Sequence, residues 1–327
     1  MKVTGTKIYD MDGNEFLIRG VNVNGPGWAF SRDTLQDISL ITDVWKFNTV
    51  RVCAAMGWKR AESHNKDLDS IIKAFTDKGI VTILEVHDYT GVYPPDTPNE
   101  QYKMDGSFVV KRLPSKTELI KWWIDKANRF KDNSYVWFNI MNEPGSGSSS
   151  DSADLWLKIH DEVIKAIRDT GAGNIIVLDE HDWGQGSGYY GGSSSYDSAI
   201  IRMGPELNKK YDNLVFSLHV YGKWEDGRSR FDQYFSDAHA RGLCVILGEF
   251  GIDVREHSAP MQSAVKNMYD SAIPNNIGRM YWAWDDKSLP LTTDGCGWQI
   301  DRQNGEKPGN LTWVGEMVWL DNRKLLV

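Results

Sequence analysis

The sequence predicts an α/β fold, a single (β/α)8 TIM barrel preceded by a short β-hairpin. Eight strand-like segments alternate with eight helix-like segments along 327 residues, and no linker composition interrupts the series. Strands that alternate with helices indicate a parallel sheet, and eight such units close it into a barrel. An open doubly wound sheet is the alternative, but no Gly-x-Gly-x-x-Gly turn follows the first strand to support its dinucleotide-binding form. We therefore expect one domain over residues 1–327.

Short apolar runs bounded by turn residues mark the strands. A hairpin is expected over residues 7–17, where two short runs flank a turn at Asp12 and Gly13. The eight barrel strands are expected at residues 18–23, 49–53, 81–87, 136–141, 175–179, 214–221, 245–249 and 279–284. Their spacing leaves room for a helix in every crossover.

Helix-like periodicity and residues typical of helix ends occur in those crossovers. Ser115 and Glu118 form a capping-box pattern, and Gly79, Gly171 and Gly242 stand where a helix should end in a left-handed residue. The helices are expected at residues 33–47, 67–78, 116–130, 153–169, 200–210, 231–240, 261–272 and 313–319.

Composition excludes several classes of function. A formal net charge of -8 would repel a phosphate backbone, and no basic patch offsets it, so we expect no nucleic-acid partner. No apolar run is long enough to span a membrane. No signal peptide follows Met1, which predicts a cytoplasmic protein if Met1 is the native start and a secreted one if a leader has been removed. We expect the chain to act as a monomer.

Cysteine usage and aromatic content narrow the choice further. The three cysteines are too few and too scattered for a disulfide framework or a zinc site, so we expect free thiols at Cys53, Cys244 and Cys296, and neither a metal nor a cofactor. The 14 Trp and 13 Tyr exceed what a core needs, and flat aromatic faces suit apolar sugar rings.

Three long connections, residues 88–114, 145–152 and 181–196, all follow predicted strands. In a barrel the segments after the strands form the active-site rim, so these loops are the expected place for substrate contacts. Polar side chains also end most of the strands, although charge inside a barrel is costly unless it is paired. These residues are Arg51, Glu85, His87, Asn142, Glu143, Asp179, Glu180, His219, Tyr221 and Glu249.

Glu143 and Glu249 stand out because each follows a strand-like apolar run. Glycoside hydrolysis needs such a pair, one carboxyl protonated to donate to the leaving oxygen and the other ionised to attack the anomeric carbon or to activate water. Their strands, the fourth and seventh, lie on opposite sides of a barrel mouth. A separation of roughly 5 to 5.5 Å would make the reaction retaining and a wider gap inverting.

An ordered set of six motifs resembles glycoside hydrolase family 5. The motifs are residues 50–52 (Val-Arg-Val), 85–88 (Glu-Val-His-Asp), 139–144 (Asn-Ile-Met-Asn-Glu-Pro), 217–221 (Ser-Leu-His-Val-Tyr), 247–251 (Leu-Gly-Glu-Phe-Gly) and 281–284 (Tyr-Trp-Ala-Trp). The resemblance implies a retaining double displacement through a covalent glycosyl-enzyme intermediate, with Glu143 as acid/base and Glu249 as nucleophile. It also implies the lining of the subsite where the bond breaks: Arg51, His87, Asn142, His219, Tyr221 and Trp282.

Physical roles follow for these side chains. Arg51 and Tyr221 would donate to the Glu249 carboxylate and keep it ionised. Asn142 would hydrogen-bond the sugar 2-hydroxyl, and His219 would support the acid. His87 would bind a sugar hydroxyl. A tryptophan on the last strand would offer a flat face beneath the ring, and the candidates are Trp282 and Trp284.

Within the family, residues 85–91 and 182–185 resemble bacterial β-1,4-mannanases. The implied substrates are β-1,4-linked mannan, glucomannan or manno-oligosaccharides, cleaved by an endo-β-1,4-mannanase or a β-mannosidase. Residues 145–148 and 184–195 depart from the mannanase pattern in loops that shape sugar subsites. Candidate contacts from the loops are Asn24, Trp28, Trp183, Arg202 and Trp224.

Three alternatives remain at this point. A β-1,4-glucanase of the same family would use the same machinery on glucose chains. A sugar-binding barrel without activity would use the same aromatic residues but has no need of two facing carboxylates. A metal-dependent hydrolase would draw on residue types present at His87, Asp88, His181 and His219, but their spacing matches no compact metal site.

Overall fold

A computed structural model describes residues 1–24, 34–57, 67–100, 112–146, 152–186, 198–224, 227–252, 259–301 and 307–326. Eight parallel strands in these ranges close into a barrel in chain order, the last pairing with the first, which confirms the predicted fold. After the hairpin strands β1 (Lys2–Thr4) and β2 (Lys7–Tyr9), the barrel strands are β3 (Arg19–Asn24), β4 (Thr49–Ala54), β5 (Val81–Val86), β6 (Val136–Asn139), β7 (Ile176–Asp179), β8 (Leu214–Val220), β9 (Val245–Phe250) and β10 (Gly278–Tyr281).

Eight α-helices lie within the described ranges, one in each predicted helical segment. They are α1 (Thr34–Ser39, continued by a π-helical turn at Leu40–Val44), α2 (Leu68–Thr76), α3 (Lys116–Phe130), α4 (Ser152–Asp169), α5 (Ala199–Lys210), α6 (Arg228–Ala240), α7 (Ala259–Ala272) and α8 (Trp313–Asn322). The capping box of Ser115 and Glu118 is present at the start of α3. Gly79, Gly171 and Gly242 have φ of +72°, +85° and +71°, as their positions predicted. None of the helices described here is long and apolar enough to cross a membrane.

The N-terminal hairpin is present, but its strand pairing differs from the prediction. β1 pairs antiparallel with β2 through a turn at Gly5, whereas residues 15–17 form no strand and contribute one bridge between Tyr9 and Glu15. The Asp10 carboxylate accepts hydrogen bonds from the backbone N–H groups of Asp12 and Asn14. These bonds stabilise the turn at Asp12 and Gly13. The predicted second strand is therefore too short to form a ladder.

The barrel sheet separates two apolar layers. Inward-facing side chains at the amino ends of the strands, including Ile83, Trp137 and Val177, pack with Ile8 and Ile18 of the hairpin region. Outward-facing side chains pack against the helices in a larger cluster. Because side chains alternate across a strand, the inward-facing set continues two residues further along each strand, where it becomes polar. The same alternation that fills the lower barrel thus directs polar groups into its carboxyl-end mouth. The three cysteines are buried free thiols.

Candidate active site

Arg51 lies at the centre of the barrel mouth, at the inward-facing position of β4. Its guanidinium donates to Asn139 Oδ1 (2.7 Å), Asn22 Oδ1 (3.0 Å) and Asn142 Oδ1 (2.6 Å), and also to carboxylates of Asp179 and Glu249. The side chain is 1% exposed. This planar fork therefore links the ends of strands on several sides of the barrel, a geometry that lysine does not provide.

Three carboxylates surround the Arg51 charge. Burial disfavours the guanidinium, but Glu85, Asp179 and Glu249 outweigh burial and raise the pKa of Arg51 above its usual value. Its Nη1 lies 2.8 Å from Glu249 Oε1 and 3.9 Å from Glu85 Oε2, and its Nη2 lies 3.0 Å from Asp179 Oδ2. Arg51 is thus permanently charged and compensates buried acids that would otherwise be costly.

A bulge in β9 turns Glu249 into the barrel. The register with β8 pairs Leu218 with Leu247 and His219 with Glu249, so Gly248 is an extra residue. In a regular strand without the bulge, alternation would put Gly248 inward and Glu249 outward, toward the helices. A Cβ on residue 248 would lie 2.1 Å from Ser217 Oγ and 3.0 Å from His219 Nε2, so only glycine fits the bulge.

The Glu249 carboxylate accepts two strong hydrogen bonds. Arg51 Nη1 donates to Oε1 and the Tyr221 hydroxyl donates to Oε2, each at 2.8 Å, and His219 Nδ1 lies 3.5 Å from Oε2. Burial raises the pKa of Glu249, while the positive charges of His219 and Arg51 oppose the rise. The predicted contacts of Arg51 and Tyr221 with Glu249 are both present.

Glu143 faces Glu249 from the end of β6. Its backbone is left-handed, with φ of +43°, and is held by its N–H to Asp179 Oδ2 (3.3 Å) and its carbonyl to the amide of Gly91 (2.8 Å). A non-glycine residue in this region is strained and needs such anchoring. One carboxylate oxygen of Glu143 lies within 4.8 Å of one of Glu249, and a ring nitrogen of His219 lies within the same distance of both. The two acids therefore share one small space.

His219 connects the two acids. Its Nδ1 lies 2.8 Å from Glu143 Oε1, and its Nε2 lies 3.3 Å from Asp179 Oδ2. Burial disfavours the imidazolium, but Glu249 and Asp179 outweigh burial and raise the pKa of His219 to about 10. At neutral pH both ring nitrogens therefore carry protons, which suits hydrogen bonding to acids and not metal coordination.

His87 and Trp282 form the opposite wall. Their rings stack with centroids 5.5 Å apart and planes at 23°. His87 Nδ1 lies 3.0 Å from Glu85 Oε1; burial disfavours the charged ring, but Glu85 outweighs it and raises the pKa of His87. Asn142 Nδ2 donates to Thr90 Oγ1 at 2.8 Å and lies 3.5 Å from His87 Nε2, and its oxygen accepts from Arg51. A sugar hydroxyl would therefore share Nδ2 with His87.

The loop after β7 lies against His219 and Glu143. Asp182, Trp183 and Gly184 are consecutive left-handed residues with φ of +55°, +58° and +70°. A Cβ on residue 184 would lie 2.8 Å from His219 Cγ and 2.9 Å from Glu143 Cγ. The Trp183 indole rests on Gly91 and is 36% exposed. Trp183 is thus an exposed aromatic face beside the acid.

Two predicted sugar contacts are wrong. Trp284 is 2% exposed, donates to Asp37 Oδ2 at 3.0 Å and packs edge-on against Trp45. Trp224 is completely buried and packs against Phe231 and Tyr234 of α6. Each ring belongs to the packing between the barrel and its helices.

The remaining predicted contacts are less informative. Arg202 is exposed on α5, and Asn24 is the last residue of β3. Trp28 lies outside the described residues, as does most of the glycine- and serine-rich stretch of residues 184–195.

Four site residues were missing from the predicted set: Asn22, Glu85, Asn139 and Asp179. All four are completely buried and contact or surround Arg51. Glu85 and Asp179 had been noted only as polar strand ends. Asn22 and Asn139 lie at inward-facing positions of β3 and β6. The alternation that places Arg51 inward on β4 also predicts these two positions.

A barrel mouth with two facing glutamates, an aromatic wall and a buried arginine defines a glycoside hydrolase. The chain belongs to glycosyl hydrolase family 5: the family's Cellulase model matches residues 9–288. The resemblance seen in the sequence is thereby confirmed.

Known proteins resemble the chain over most of its length. It is 26% identical to a mannan endo-1,4-beta-mannosidase of Cellvibrio japonicus, over 97% of this chain and 65% of that protein. It is 24% identical to endoglucanase A of Butyrivibrio fibrisolvens, over 77% of this chain and 52% of that protein. The chain thus spans about two thirds or less of these relatives. A beta-mannanase structure from Thermomonospora fusca superposes with a TM-score of 0.72 at 24% identity, covering 97% and 93% of the two chains.

Proposed function

We propose that the chain is a retaining β-1,4-mannanase in which Glu249 is the nucleophile and Glu143 the acid/base. The observation that carries the mechanism is the approach of the two carboxylates to within 4.8 Å. Retaining glycosidases hold their carboxyl groups about 5 to 5.5 Å apart, whereas inverting enzymes need about 6.5 to 9.5 Å for a water molecule. The shorter distance supports direct attack by one carboxylate on the sugar.

The first step forms a glycosyl ester. Glu249 Oε attacks the anomeric carbon while Glu143 transfers its proton to the glycosidic oxygen, and the bond between that carbon and oxygen breaks. In the second step ionised Glu143 takes a proton from water, the water oxygen bonds to the anomeric carbon, and Glu249 leaves as a carboxylate. The negative charge thus moves from Glu249 to Glu143 and back.

His219 suits this charge movement. Its Nδ1 lies 2.8 Å from Glu143 and 3.5 Å from Glu249, so one imidazolium can stabilise the negative charge on either acid without moving far. Donors that are already placed where charge develops cost no reorganisation during the reaction.

Mannan selectivity is supported by sequence similarity. Residues 85–91 and 182–185 resemble mannanases, and the Cellvibrio and Thermomonospora relatives carry that activity in their names. Because the chain is also similar to an endoglucanase, a β-1,4-glucanase is the second candidate. We expect endo cleavage of mannan and glucomannan.

Reducing-sugar release from mannan, glucomannan and cellulose tests this selectivity. Faster release from cellulose would favour the glucanase, and no release from any of the three would favour a sugar-binding protein. Products from manno- and cello-oligosaccharides of graded length then report cleavage position, since release of single mannose units alone would indicate a β-mannosidase. Loss of activity in a strong chelator would point to the metal-dependent alternative.

Proton NMR during the reaction tests the mechanism. The first product signal should have the β configuration of the substrate, because two inversions restore it. An α product at early times would exclude the covalent intermediate.

A further inference from the structure

Asp179 contacts the supports of both glutamates. Its Oδ2 accepts Arg51 Nη2 at 3.0 Å and lies 3.3 Å from His219 Nε2. The same oxygen accepts the backbone N–H of Glu143 at 3.3 Å, and Oδ1 accepts Asn139 Nδ2 at 3.0 Å. Asp179 itself has no solvent exposure.

We propose that Asp179 is a positioning residue that keeps His219 doubly protonated and aimed at the two glutamates. A neutral imidazole carries a proton on one ring nitrogen, so it donates from Nδ1 in only one of its two tautomers. The imidazolium donates from both nitrogens. Asp179 Oδ2, 3.3 Å from Nε2, is an ion-pair contact outside hydrogen-bond geometry, and its negative charge favours a protonated Nε2. Nδ1 then faces Glu143 and Glu249 as the second donor.

Among the charged groups that the structure describes around His219, Asp179 is the one that takes no part in the chemistry. The charged or titratable groups facing His219 are Glu143, Glu249 and Asp179, and those facing Asp179 are Arg51, His219 and His160. Burial lowers the pKa of His160 to about 4, so that ring is neutral. Burial opposes the charge of Asp179 as well, but His219 and Arg51 outweigh it and hold its pKa well below the usual range. Asp179 is therefore a constant negative charge.

Constancy matters because the other two acids change charge. Glu249 loses its negative charge when it forms the ester, and Glu143 gains one. If these two alone held the proton on His219, its charge would depend on the step of the reaction. Asp179 keeps the imidazolium paired throughout, so His219 can serve both acids. This inference rests on the proposed roles of Glu143 and Glu249.

Asp179→Asn tests the inference, with Glu180→Gln as the matched control. Glu180 is the adjacent residue and equally buried, but its carboxylate bonds Ser198, Tyr234 and the amide of Ile200 and not the catalytic group. In Asp179→Asn the pKa of His219 should fall, because one of the charges that raise it is lost, so His219 lowers the pKa of Glu249 less strongly. We expect kcat to fall about 10- to 100-fold and the acidic limb of kcat/KM to move up by about one pH unit.

The control should keep the wild-type pH profile even if its stability falls. An unmoved acidic limb in a folded Asp179→Asn variant would overturn the inference. Activity remaining in Glu249→Ala would instead overturn the proposed function, so the two failures are distinguishable.

Nitrogen-15 NMR of histidine-labelled wild-type protein gives a test that needs no folded Asp179 variant. The His219 signals are assigned as those missing from His219→Gln. Both ring nitrogens should be protonated at pH 8 in the wild type. A neutral His219 at pH 8 would overturn the inference.

Discussion

Arg51 Nη1 and Glu249 Oε1 lie 2.8 Å apart in a barrel mouth where both side chains are almost fully buried. The pair joins β4 to β9 across the barrel, and the same guanidinium holds the amide oxygens of three asparagines. A buried ion pair of this kind is worth most when every remaining donor is also used. Arg51 thus organises the nucleophile and its surroundings as one unit.

Arg51→Lys should impair both stability and activity. A lysine cannot donate to Asn139, Asn142 and Glu249 together, so buried acceptors and part of a carboxylate lose their partners. Breaking such a buried pair costs about 3–5 kcal/mol. We expect a fall in Tm of roughly 10 °C, at about 2–4 °C per kcal/mol for larger domains. Calorimetry with activity at 25 °C checks this, and a Tm within 2 °C of the parent would contradict it.

Glu249→Ala should abolish turnover while the fold survives. The nucleophile forms the covalent bond, so we expect a loss on the order of 10³-fold or more. Arg51 keeps Asp179 and the three asparagines as partners, which preserves the packing of the mouth. Activity on mannan and circular dichroism are the measurements. A folded variant within tenfold of the parent would refute the assignment.

Glu143→Ala should lose most activity on mannan but less on activated aryl glycosides. A good leaving group departs without a proton, so only natural substrates need the acid in the first step. The measurement compares kcat/KM for a dinitrophenyl glycoside with that for an oligosaccharide. Equal losses on the two substrates would show that Glu143 has another role.

The order of strands and helices was predictable because most barrel strands are buried, largely apolar runs followed by a helix-like segment. The inward direction of Arg51 follows from the same alternation. The orientation of Glu249 does not, since it depends on the bulge at Gly248, and one extra residue in a strand leaves no mark in the hydrophobic pattern.

Trp284 shows a second limit of strand alternation. It was a rival to Trp282 because two residues on one strand share a face. The strand ends at Tyr281, however, and the chain then turns so that Trp284 enters the packing beside Trp45. The predicted sugar contact at Trp224 was wrong for the same reason, because tertiary contacts and not the local period set the direction of a loop side chain.

Asp179 was visible in the sequence as a polar strand end, but its role depends on its distances to Arg51 and His219.

Gly184→Ala should reduce activity far more than Gly186→Ala. Both glycines are left-handed, with φ of +70° and +65°, so a side chain at either costs about 1–2 kcal/mol of backbone strain. Only at residue 184 would the new Cβ press on His219 and Glu143; at residue 186 it would meet Glu180 at 3.2 Å. Displacing an acid by 1 Å can cost about 10²-fold.

Gly184→Ala should therefore be both the less active and the less stable of the two glycine variants. The measurements are Tm and kcat on mannan for each purified protein. Equal activities at equal Tm would mean that the loop does not constrain the acid.

The acidic limb of the pH profile should lie above the pKa of an ordinary glutamate. Glu249 must be ionised to attack, and burial raises its pKa, so activity is lost as the pH falls through that raised value. Tyr221→Phe removes a donor that stabilises the ionised form at 2.8 Å. The pKa of Glu249 should then rise further, which moves the limb to still higher pH.

The test of this pH dependence is kcat/KM on a short oligosaccharide between about pH 3 and 9, a window that spans the usual glutamate and histidine values. Tyr211→Phe is the control, because Tyr211 hydrogen-bonds Asp161 on the outer surface and does not reach the mouth. Its profile should match the parent. A limb that moves to lower pH in Tyr221→Phe would show that the tyrosine hydroxyl favours the protonated carboxyl, and Glu249 would then not be held ready for attack.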